Sequence, residues 1–323
     1  MVGLSGTMSS ILTLTLNPAL DVSACTAQVR HTSKLRCTSV ERHPGGGGVN
    51  VARVLQRLGA DVQALYTSGG TTGQLLTELL QQEGVRCISQ TIPGHTRESF
   101  TVLDEASGQE YRFVLPGPDL NDALCTQLMD HVASLRPAWL VASGSLPPGV
   151  PPDFYAQAAR LCGSWGARLV VDSSGPALAH ALQAGVYLAK PSVREFRELV
   201  GRPLLRLPEL ADAAQQWVQG GHAQILAVSL GEKGALLCHA DGSWYAPPLA
   251  VEVHSAVGAG DSFVAGMVHG LADGQGVLDA FALGVACGTA ALTHQGTGLS
   301  APDDVQRLLP KVRCLNPVPD EPL

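Results

Sequence analysis

Two glycines and a carboxylate stand together in Val257-Gly258-Ala259-Gly260-Asp261. A helix is predicted directly after them, because Val264, Met267, Val268 and Leu271 recur at helical spacing. The first N–H groups of a helix lack intrahelical partners and carry partial positive charge, so they attract an anion, and glycine lets that anion come close. A carboxylate beside such a site is suited to taking the proton from a hydroxyl that attacks a phosphate. The alternative is that Asp261 is only an N-cap.

A run of four glycines, Gly45–Gly48, precedes a second predicted helix. Glycine loses much conformational entropy on folding, so this run is reasonable where backbone lies flat against a ligand at a helix N-terminus. Asn50 could add an amide for sugar hydroxyls. Asp21 follows the first predicted strand, and ligands of open α/β sheets gather at the carboxyl ends of strands. For the glycine run the alternative is a flexible loop.

Four cations, Lys34, Arg36, Arg97 and Arg112, lie in two segments that lack helical periodicity. In a chain with a formal charge of −7, their grouping suggests a clamp for a phosphate. For each of them alone, a solvated surface position is the alternative.

Two further segments follow predicted strands and carry polar groups. Ser229–Gly234 could pass against the phosphates of a nucleotide. In Lys190–Glu195, Lys190 could meet a phosphate and Glu195 could hold a magnesium-bound water. The alternative for this second segment is a plain strand end and helix start. The chain has no Walker loop and no protein-kinase H-R-D or D-F-G set, which excludes two large classes of ATP-using enzyme.

The elements that must position these groups alternate between strand-like and helix-like segments. Strands are predicted at Ile11–Leu16, Val62–Tyr66, Trp139–Ser143, Leu169–Asp172, Val186–Ala189 and Ile225–Leu230. Helices are predicted around residues 49–58, 75–84 and 124–135 and after Gly258. This alternation indicates an α/β fold with a mostly parallel sheet covered by helices.

Two segments interrupt the alternation. Val22–His43 has no helical period, and Thr96–Pro116 is typical of a hairpin with strands at Ser99–Leu103 and Gln109–Leu115. Together they predict a small β-sheet lid, which makes sense where water must be kept from a reactive phosphate. An edge extension used for dimer contact is the alternative. The predicted division is a core of residues 8–21, 44–95 and 117–310, a lid of residues 22–43 and 96–116, and a tail of residues 311–323.

Composition excludes several other classes. The chain has 323 residues and 45% hydrophobic content, enough for a large core, and no block of like charges, which argues against nucleic-acid binding. None of the eight cysteines has zinc-site spacing, so free thiols in a reducing compartment are expected. With no signal peptide and no membrane-spanning run, we expect a cytoplasmic protein without a membrane partner. Residues 1–7, before Met8, are interpreted as a dispensable extension or an early start codon.

These pieces, in this order, resemble the ribokinase-like (PfkB) sugar kinase family over about residues 8–309. Gly45–Asn50 and Gly258–Asp261 match its paired signatures, and the pair is far more specific than either half. The resemblance implies a three-layer α/β/α fold with a small β-sheet lid. Within the family, the chain looks most like the branch of non-Walker 6-phosphofructokinases. The stretches that carry this closer match are residues 34–38, 44–53, 109–114, 143–150, 171–175 and 295–297.

The resemblance implies a reaction: phosphorylation of fructose 6-phosphate at its 1-hydroxyl by MgATP. Tagatose 6-phosphate and fructose 1-phosphate remain alternative substrates. A remote alternative is a catalytically silent sensor of sugar phosphate or nucleotide on the same fold. A homodimer whose lids meet is also implied, so that an arginine of one subunit could serve the other subunit's site.

The resemblance also implies roles for matched residues. Asp261 would be the general base, and the amides of Gly258, Ala259 and Gly260 would form an anion hole. The substrate residues would be Asp21, Gly46, Gly47, Asn50 and Ser145 for the sugar, with Lys34, Arg36 and Arg97 near its phosphate. The grouping of cations described above adds Arg112 to this set. The nucleotide residues would be Lys190, Ser192, Glu195, Ser229, Gly231, Gly234, Val285 and Thr289. A monovalent cation, K⁺, would be held mainly by backbone carbonyls of Ser255, Val257, Ala291, His294, Gly296 and Gly298.

The chain departs from the family pattern at two positions. Ser192 stands where an N-x-x-E element usually has Asn, and Ala256 stands where Thr often precedes the glycine run. Serine is shorter than asparagine, so we expect an active enzyme with altered magnesium dependence. The loss of the Thr hydroxyl leaves the backbone of the anion hole intact.

Overall fold

The computed structural model describes residues 10–294, 296 and 298–323. The predicted extension of residues 1–7 lies outside these ranges, as do Gln295 and Thr297 of the matched stretch 295–297.

The chain forms thirteen strands and ten α-helices within the described residues. The strands are β1 (Ile11–Thr15), β2 (Ala19–Thr26), β3 (Cys37–Gly45), β4 (Val62–Ser68), β5 (Arg86–Thr91), β6 (Arg97–Asp104), β7 (Gln109–Val114), β8 (Trp139–Ser143), β9 (Arg168–Asp172), β10 (Val186–Ala189), β11 (Ala223–Ser229), β12 (Ala235–His239) and β13 (Gly242–Ala246). The helices are α1 (Gly47–Arg57), α2 (Gly70–Gln82), α3 (Asp122–Leu135), α4 (Phe154–Gly163), α5 (Gly175–Ala184), α6 (Val193–Val200), α7 (Leu207–Gln219), α8 (Ala259–Ala272), α9 (Val277–Leu292) and α10 (Pro302–Leu308).

Nine strands form a central sheet in the order β13-β12-β11-β10-β9-β8-β1-β4-β5. The pairs from β11 to β5 are parallel, so the carboxyl ends of these strands lie along one edge. The predicted α/β class and the mostly parallel sheet are therefore confirmed. At one edge of the sheet lies an antiparallel hairpin, β12–β13, whose two strands are only five residues long each and were not predicted.

Helices cover both faces of this sheet and bury its apolar side chains. In β1, Leu12 and Leu14 point into a core shared with α3 to α7, while Ile11 points into a core shared with α1, α2, α8 and α9. Alternate residues of one strand serve opposite faces, as the period of two requires. The three-layer arrangement follows, and it leaves the carboxyl edge of the sheet for the loops.

Four strands form a second sheet in the order β3-β2-β6-β7. Its register puts Asp21 beside Ser99 and Ser99 beside Val114 on one face, and Val22, Phe100 and Phe113 side by side on the other. The predicted hairpin strands at Ser99–Leu103 and Gln109–Leu115 correspond to β6 and β7. The division of the chain into core, lid and tail stays a prediction.

The helices and the cysteines of the structure can be compared with the expectations from the sequence. No helix in the described part of the chain is long and apolar enough to span a bilayer. All eight cysteines are free, and four of them are buried, which agrees with the expected free thiols.

Candidate active site

A cavity of about 310 Å³ opens at the carboxyl edge of the central sheet, between that edge and the four-stranded sheet. Many residues that the sequence singled out line it: Asp21, Gly46, Gly47, Asn50, Arg97, Arg112, Ser145, Glu195, Val257, Gly258 and Asp261. The cavity therefore collects carboxylates, arginines and a helix N-terminus in one place.

Asp261 sits in the first turn of α8, with its carboxylate at the cavity. Gly258 is the N-cap, in the left-handed conformation (φ 73°), and no side chain caps this helix end. The alternative that Asp261 is only a cap is therefore wrong. The predicted face of α8 is buried, since Val264, Met267 and Val268 are fully covered. Burial of that face fixes the first turn, and so the carboxylate, against the cavity.

The carboxylate of Asp261 accepts a hydrogen bond at Oδ2 from Asn50 Nδ2, at 2.9 Å. Burial, and after it the neighbouring charge of Asp172, raise the pKa of Asp261 to about 7, although the hydrogen bond from Asn50 and the charge of Lys190 oppose the shift. A carboxyl group with this pKa exchanges its proton near neutral pH, which suits a general base.

The four glycines of Gly45–Gly48 are required by protein packing, which the sequence analysis did not anticipate. A Cβ on Gly45 would lie 2.1 Å from Asp21 Oδ2, and one on Gly47 would lie 2.2 Å from Ser143 Oγ. A Cβ on Gly48 would lie 2.5 Å from Thr15 Oγ1. The run thus presses the start of α1 against strand ends and the Asp21 carboxylate, while Gly46 and Gly47 still face the cavity.

The end of the cavity under the four-stranded sheet holds Asp21 with two arginines. Burial raises the pKa of Asp21 to about 6, although the charges of Arg112 and Arg97 pull it down. Arg97 is anchored by the carbonyl of Asn17, to which Nη2 donates at 3.0 Å. Asn17 Nδ2 also donates to Ser145 Oγ at 3.1 Å. This end combines a hydrogen-bonding carboxylate with two cations, as a phosphorylated polyol requires.

A buried ion pair lies near the start of α8. Lys190 Nζ is 3.1 Å from Asp172 Oδ1, and it lies so close to Gly260 that a Cβ there would be 3.3 Å away. Asp172 ends β9 and lines the cavity, although no role was predicted for it. Like Asp21, it is a carboxylate close to the carboxyl end of a parallel strand, and this position is the sequence signal that could have identified it.

Ser192 and Glu195 form a capping box at the start of α6. Glu195 N donates to Ser192 Oγ at 3.2 Å, and Ser192 N donates to Glu195 Oε2 at 2.8 Å. Serine and asparagine cap helices about equally well, so Ser192 can cap α6 as an asparagine at this position would. Glu195 lines the cavity while it holds this turn, and its role in binding stays a prediction.

The Ser229–Gly234 segment lies beside this box, because Ser192 and Ser229 form a parallel bridge. Gly231 and Gly234 both have positive φ (63° and 89°). A Cβ on Gly234 would lie 2.1 Å from the carbonyl oxygen of Ala246, so that glycine is required by packing against the end of β13. The two predicted nucleotide segments are therefore neighbours along the carboxyl edge.

Several predicted site residues do not line the cavity of this chain. Lys34 and Arg36 are exposed in the segment between β2 and β3 and do not line the cavity, whereas Arg97 and Arg112 do. The grouping of four cations on one clamp is therefore not seen within one chain. Val285 and Thr289 lie on α9, where Val285 is buried in the core between α8 and α9.

The predicted cation residues lie in the segment before α8 and in the last turn of α9 with the loop after it, and the structure brings these two parts together. His254 N donates to Leu292 O at 2.8 Å, which ties the segment before α8 to the end of α9. The carbonyl of Ala291 accepts from His294 N at 3.2 Å, and that of Gly298 accepts from Arg57 Nη1 at 2.8 Å. Ser255 and Val257 are buried, and Gly296 faces Ser23 of β2.

The chain is similar to known proteins over most of its length. A family model described as pfkB family carbohydrate kinase matches residues 15–304. The ATP-dependent 6-phosphofructokinase isozyme 2 of Mycobacterium tuberculosis is 44% identical over 92% of this chain and 88% of its own length. The 1-phosphofructokinase of Bacillus subtilis is 31% identical over 94% of this chain and 98% of its own.

Two crystal structures of the phosphofructokinase-2 from Escherichia coli are similar over nearly the whole fold. The complex with potassium has a TM-score of 0.90 at 41% identity, and the complex with fructose-6-phosphate has 0.89 at 40%. Each comparison covers 94% of this chain and 99% of the other.

Proposed function

The chain belongs to the pfkB family of carbohydrate kinases, and from this premise we propose that it phosphorylates fructose 6-phosphate at the 1-hydroxyl, with ATP as donor. One observation carries the proposal. The Asp261 carboxylate meets the start of α8 in the same cavity that holds Asp21, Arg97 and Arg112. A general base, an anion-binding helix end and a polyol-phosphate pocket are the parts that phosphoryl transfer to this sugar requires.

In the proposed mechanism, Asp261 Oδ1 accepts the proton of the 1-hydroxyl while Oδ2 stays bound to Asn50. Asp21 accepts hydrogen bonds from other hydroxyls of the sugar, and Arg97 and Arg112 bind its 6-phosphate. The amides at the start of α8, with Lys190 beside them, stabilise negative charge on the transferred group. When bound, MgATP supplies the phosphoryl group and the charge neutralisation that the metal provides.

The residues present fit MgATP. Lys190 beside Gly260 offers a cation to phosphates, and Glu195 with Asp172 offers carboxylates at the same edge. Magnesium is commonly held by one or two carboxylates together with substrate phosphates. The proposed effect of Ser192 on magnesium use is tested by comparing magnesium titrations of the wild type and Ser192→Asn, and identical curves would remove it.

A monovalent cation would be held by backbone carbonyls and not by the charged side chains proposed for MgATP. Ser255, Val257, Ala291, His294, Gly296 and Gly298 would offer backbone carbonyls, the oxygen ligands that a hard cation prefers. The potassium complex of the similar E. coli enzyme supports the proposal that K⁺ binds here.

The test is an assay of ADP release coupled to a second enzyme, run across a panel of sugars. Fructose 6-phosphate should give the highest kcat/KM, above tagatose 6-phosphate, fructose 1-phosphate and free fructose. A preference for fructose 1-phosphate would favour 1-phosphofructokinase activity, which is the activity named for the B. subtilis relative. A preference for tagatose 6-phosphate would favour tagatose-6-phosphate kinase activity. No ADP release with any of them, despite saturable binding, would identify a silent sensor.

We also propose a homodimer formed through the four-stranded sheet, in the cytoplasm. The sheet face away from the cavity is apolar along the row Val22, Phe100 and Phe113, and Phe113 is 57% exposed. A second copy of the chain would cover this face and could bring Lys34 or Arg36 to its partner's cavity. Free thiols in all eight cysteines support a reducing compartment.

A further inference from the structure

Behind the cavity, α1 buries an arginine that the proposed mechanism has not used. Arg53 is 1% exposed, less than any other charged residue in the part of the chain that the structure describes. Its Nε donates to Glu83 Oε1 at 2.9 Å, and Nη2 lies 2.7 Å from the same oxygen. Its Nη1 donates to the carbonyl of Pro44 at 2.9 Å and to Asn50 Oδ1 at 3.3 Å. A buried guanidinium is costly unless it is bonded in this way, so its position is strongly determined.

The bond to Arg53 decides which way the Asn50 amide faces. A guanidinium can only donate, so the atom of Asn50 that meets it must be the oxygen. The amide nitrogen is then left to face Asp261, where it donates to Oδ2 at 2.9 Å. Rotation of the amide by half a turn would set two donors against each other at Arg53 and two acceptors against each other at Asp261.

We infer that Arg53, held by Glu83, is a positioning residue that fixes the Asn50 amide so that it donates to Asp261 and leaves the other carboxylate oxygen for the substrate hydroxyl. This inference rests on the proposed role of Asp261 as general base. Arg53 does not line the cavity, so its effect passes through Asn50.

The planar fork of Arg53 is needed for this task. Four donors of one rigid group reach Glu83, Pro44 and Asn50 at the same time. A lysine carries its charge on a single nitrogen and cannot span these acceptors. Glu83, at the end of α2, can be changed without touching the cavity.

The first experiment measures the titration of Asp261 without any substrate. The free energy of unfolding is compared, from pH 5 to pH 9, between each protein and the same protein carrying Asp261→Asn. The pH at which the difference stops changing gives the pKa of Asp261 in the folded state. It should lie near 7 in the wild type.

The variants are Arg53→Lys and Glu83→Gln, with Arg86→Gln as control. Loss of one hydrogen bond to the charged carboxylate should move the titration upward by roughly 0.5–1 pH unit. Glu83→Gln keeps the side-chain volume, so it reports even if Arg53→Lys does not fold. Arg86 pairs with Asp61 outside the cavity, and its variant should not move the titration. A loss of stability in the first two variants with an unmoved titration would overturn the inference.

The second experiment uses the pH profile of kcat. In the first two variants kcat at pH 7 should fall about 5-fold, the equivalent of one hydrogen bond, and its acid limb should move upward with the titration. Raising the pH should then restore part of the loss, which a general structural defect would not allow. A protein with no kinase activity but a shifted titration would keep the inference and overturn the proposed function. Variants that remain active kinases, with neither the titration of Asp261 nor the pH profile of kcat shifted, would keep the proposed function and overturn the inference.

Discussion

At the scale of single residues, the cavity holds two carboxylates whose burial disfavours their charged form. Desolvation raises the pKa of Asp261 to about 7 and that of Asp21 to about 6, while nearby Lys190 and the arginines offset part of the effect. Each carboxylate is therefore less stable as an anion here than in water. This cost is tolerated where the group must accept a proton or hydroxyl hydrogen bonds.

Replacing Asp261 by Asn should remove the proposed general base while keeping the size of the side chain. We expect kcat to fall by roughly 10²–10⁴-fold, the range attributed to a positioned general base, with KM for the sugar phosphate little changed. Steady-state kinetics on the ADP assay measures both. Near-normal turnover in this variant would contradict the assignment of Asp261.

The same substitution should stabilise the protein at neutral pH. In the unfolded chain Asp261 titrates near its ordinary value of 3.8, and in the folded protein near 7. Between these values the folded state binds the extra proton, so the free energy of unfolding falls as pH rises, and Asn removes this penalty. Urea unfolding at pH 5 and pH 8 should show a larger gain for Asp261→Asn at pH 8. Equal gains at the two pH values would contradict the raised pKa.

At the scale of elements, the glycine run is a packing device that sets the start of α1. Its missing side chains are replaced by Asp21, Ser143 and Thr15, which lets the helix begin directly against the strand ends. Asn50 in its first turns is thereby brought to Asp261, 211 residues away in the chain. The close approach, and not flexibility, explains the run.

Gly47→Ala tests this account. Its Cβ would lie 2.2 Å from Ser143 Oγ and 2.8 Å from the backbone nitrogen of Gly144, so a shift is required. We expect a loss of about 1–3 kcal/mol in the free energy of unfolding, together with reduced activity. Gly163→Ala, at the end of α4 with no atom within 4 Å of its Cβ, is the matched control and should be neutral or slightly stabilising. Similar losses in both variants would contradict the packing explanation.

At the scale of the whole molecule, one face of the four-stranded sheet lines the cavity and the other face is turned away from it. Asp21, Ser99, Arg112 and Val114 face the cavity, and Val22, Phe100, Tyr111 and Phe113 face away from it. Ser255 Oγ donates to Glu110 Oε2 at 3.4 Å, so the sheet also touches the segment before α8. An apolar outer face on a small sheet is more stable when another surface covers it.

Phe113→Glu should therefore disrupt the proposed homodimer. A charge in the centre of an apolar contact is costly to bury, so the variant should sediment as a monomer where the wild type sediments as a dimer. Leu205→Glu is the control, because Leu205 is 62% exposed and lies outside this sheet. Analytical ultracentrifugation measures the outcome, and a dimeric Phe113→Glu protein would place the contact elsewhere.

The sequence by itself determined the alternating α/β order and the helix behind Gly258, because the strand and helix periods of buried residues are local signals. It also showed two glycine-rich helix starts in one chain, the second of them followed by Asp261, and the family resemblance followed from this combination. Short or partly exposed elements, such as the hairpin β12–β13, give weaker periodic signals and were not predicted.

Only the tertiary structure decided which of these groups meet. It joined Asn50 to Asp261 and Lys190 to Asp172, assigned Ser192 to a helix cap, and left Lys34 and Arg36 outside the cavity of their own chain. It also revealed Arg53 behind Asn50. Such contacts join residues far apart in the chain, and the burial and neighbouring charges that set the pKa of Asp261 exist only after the chain has folded.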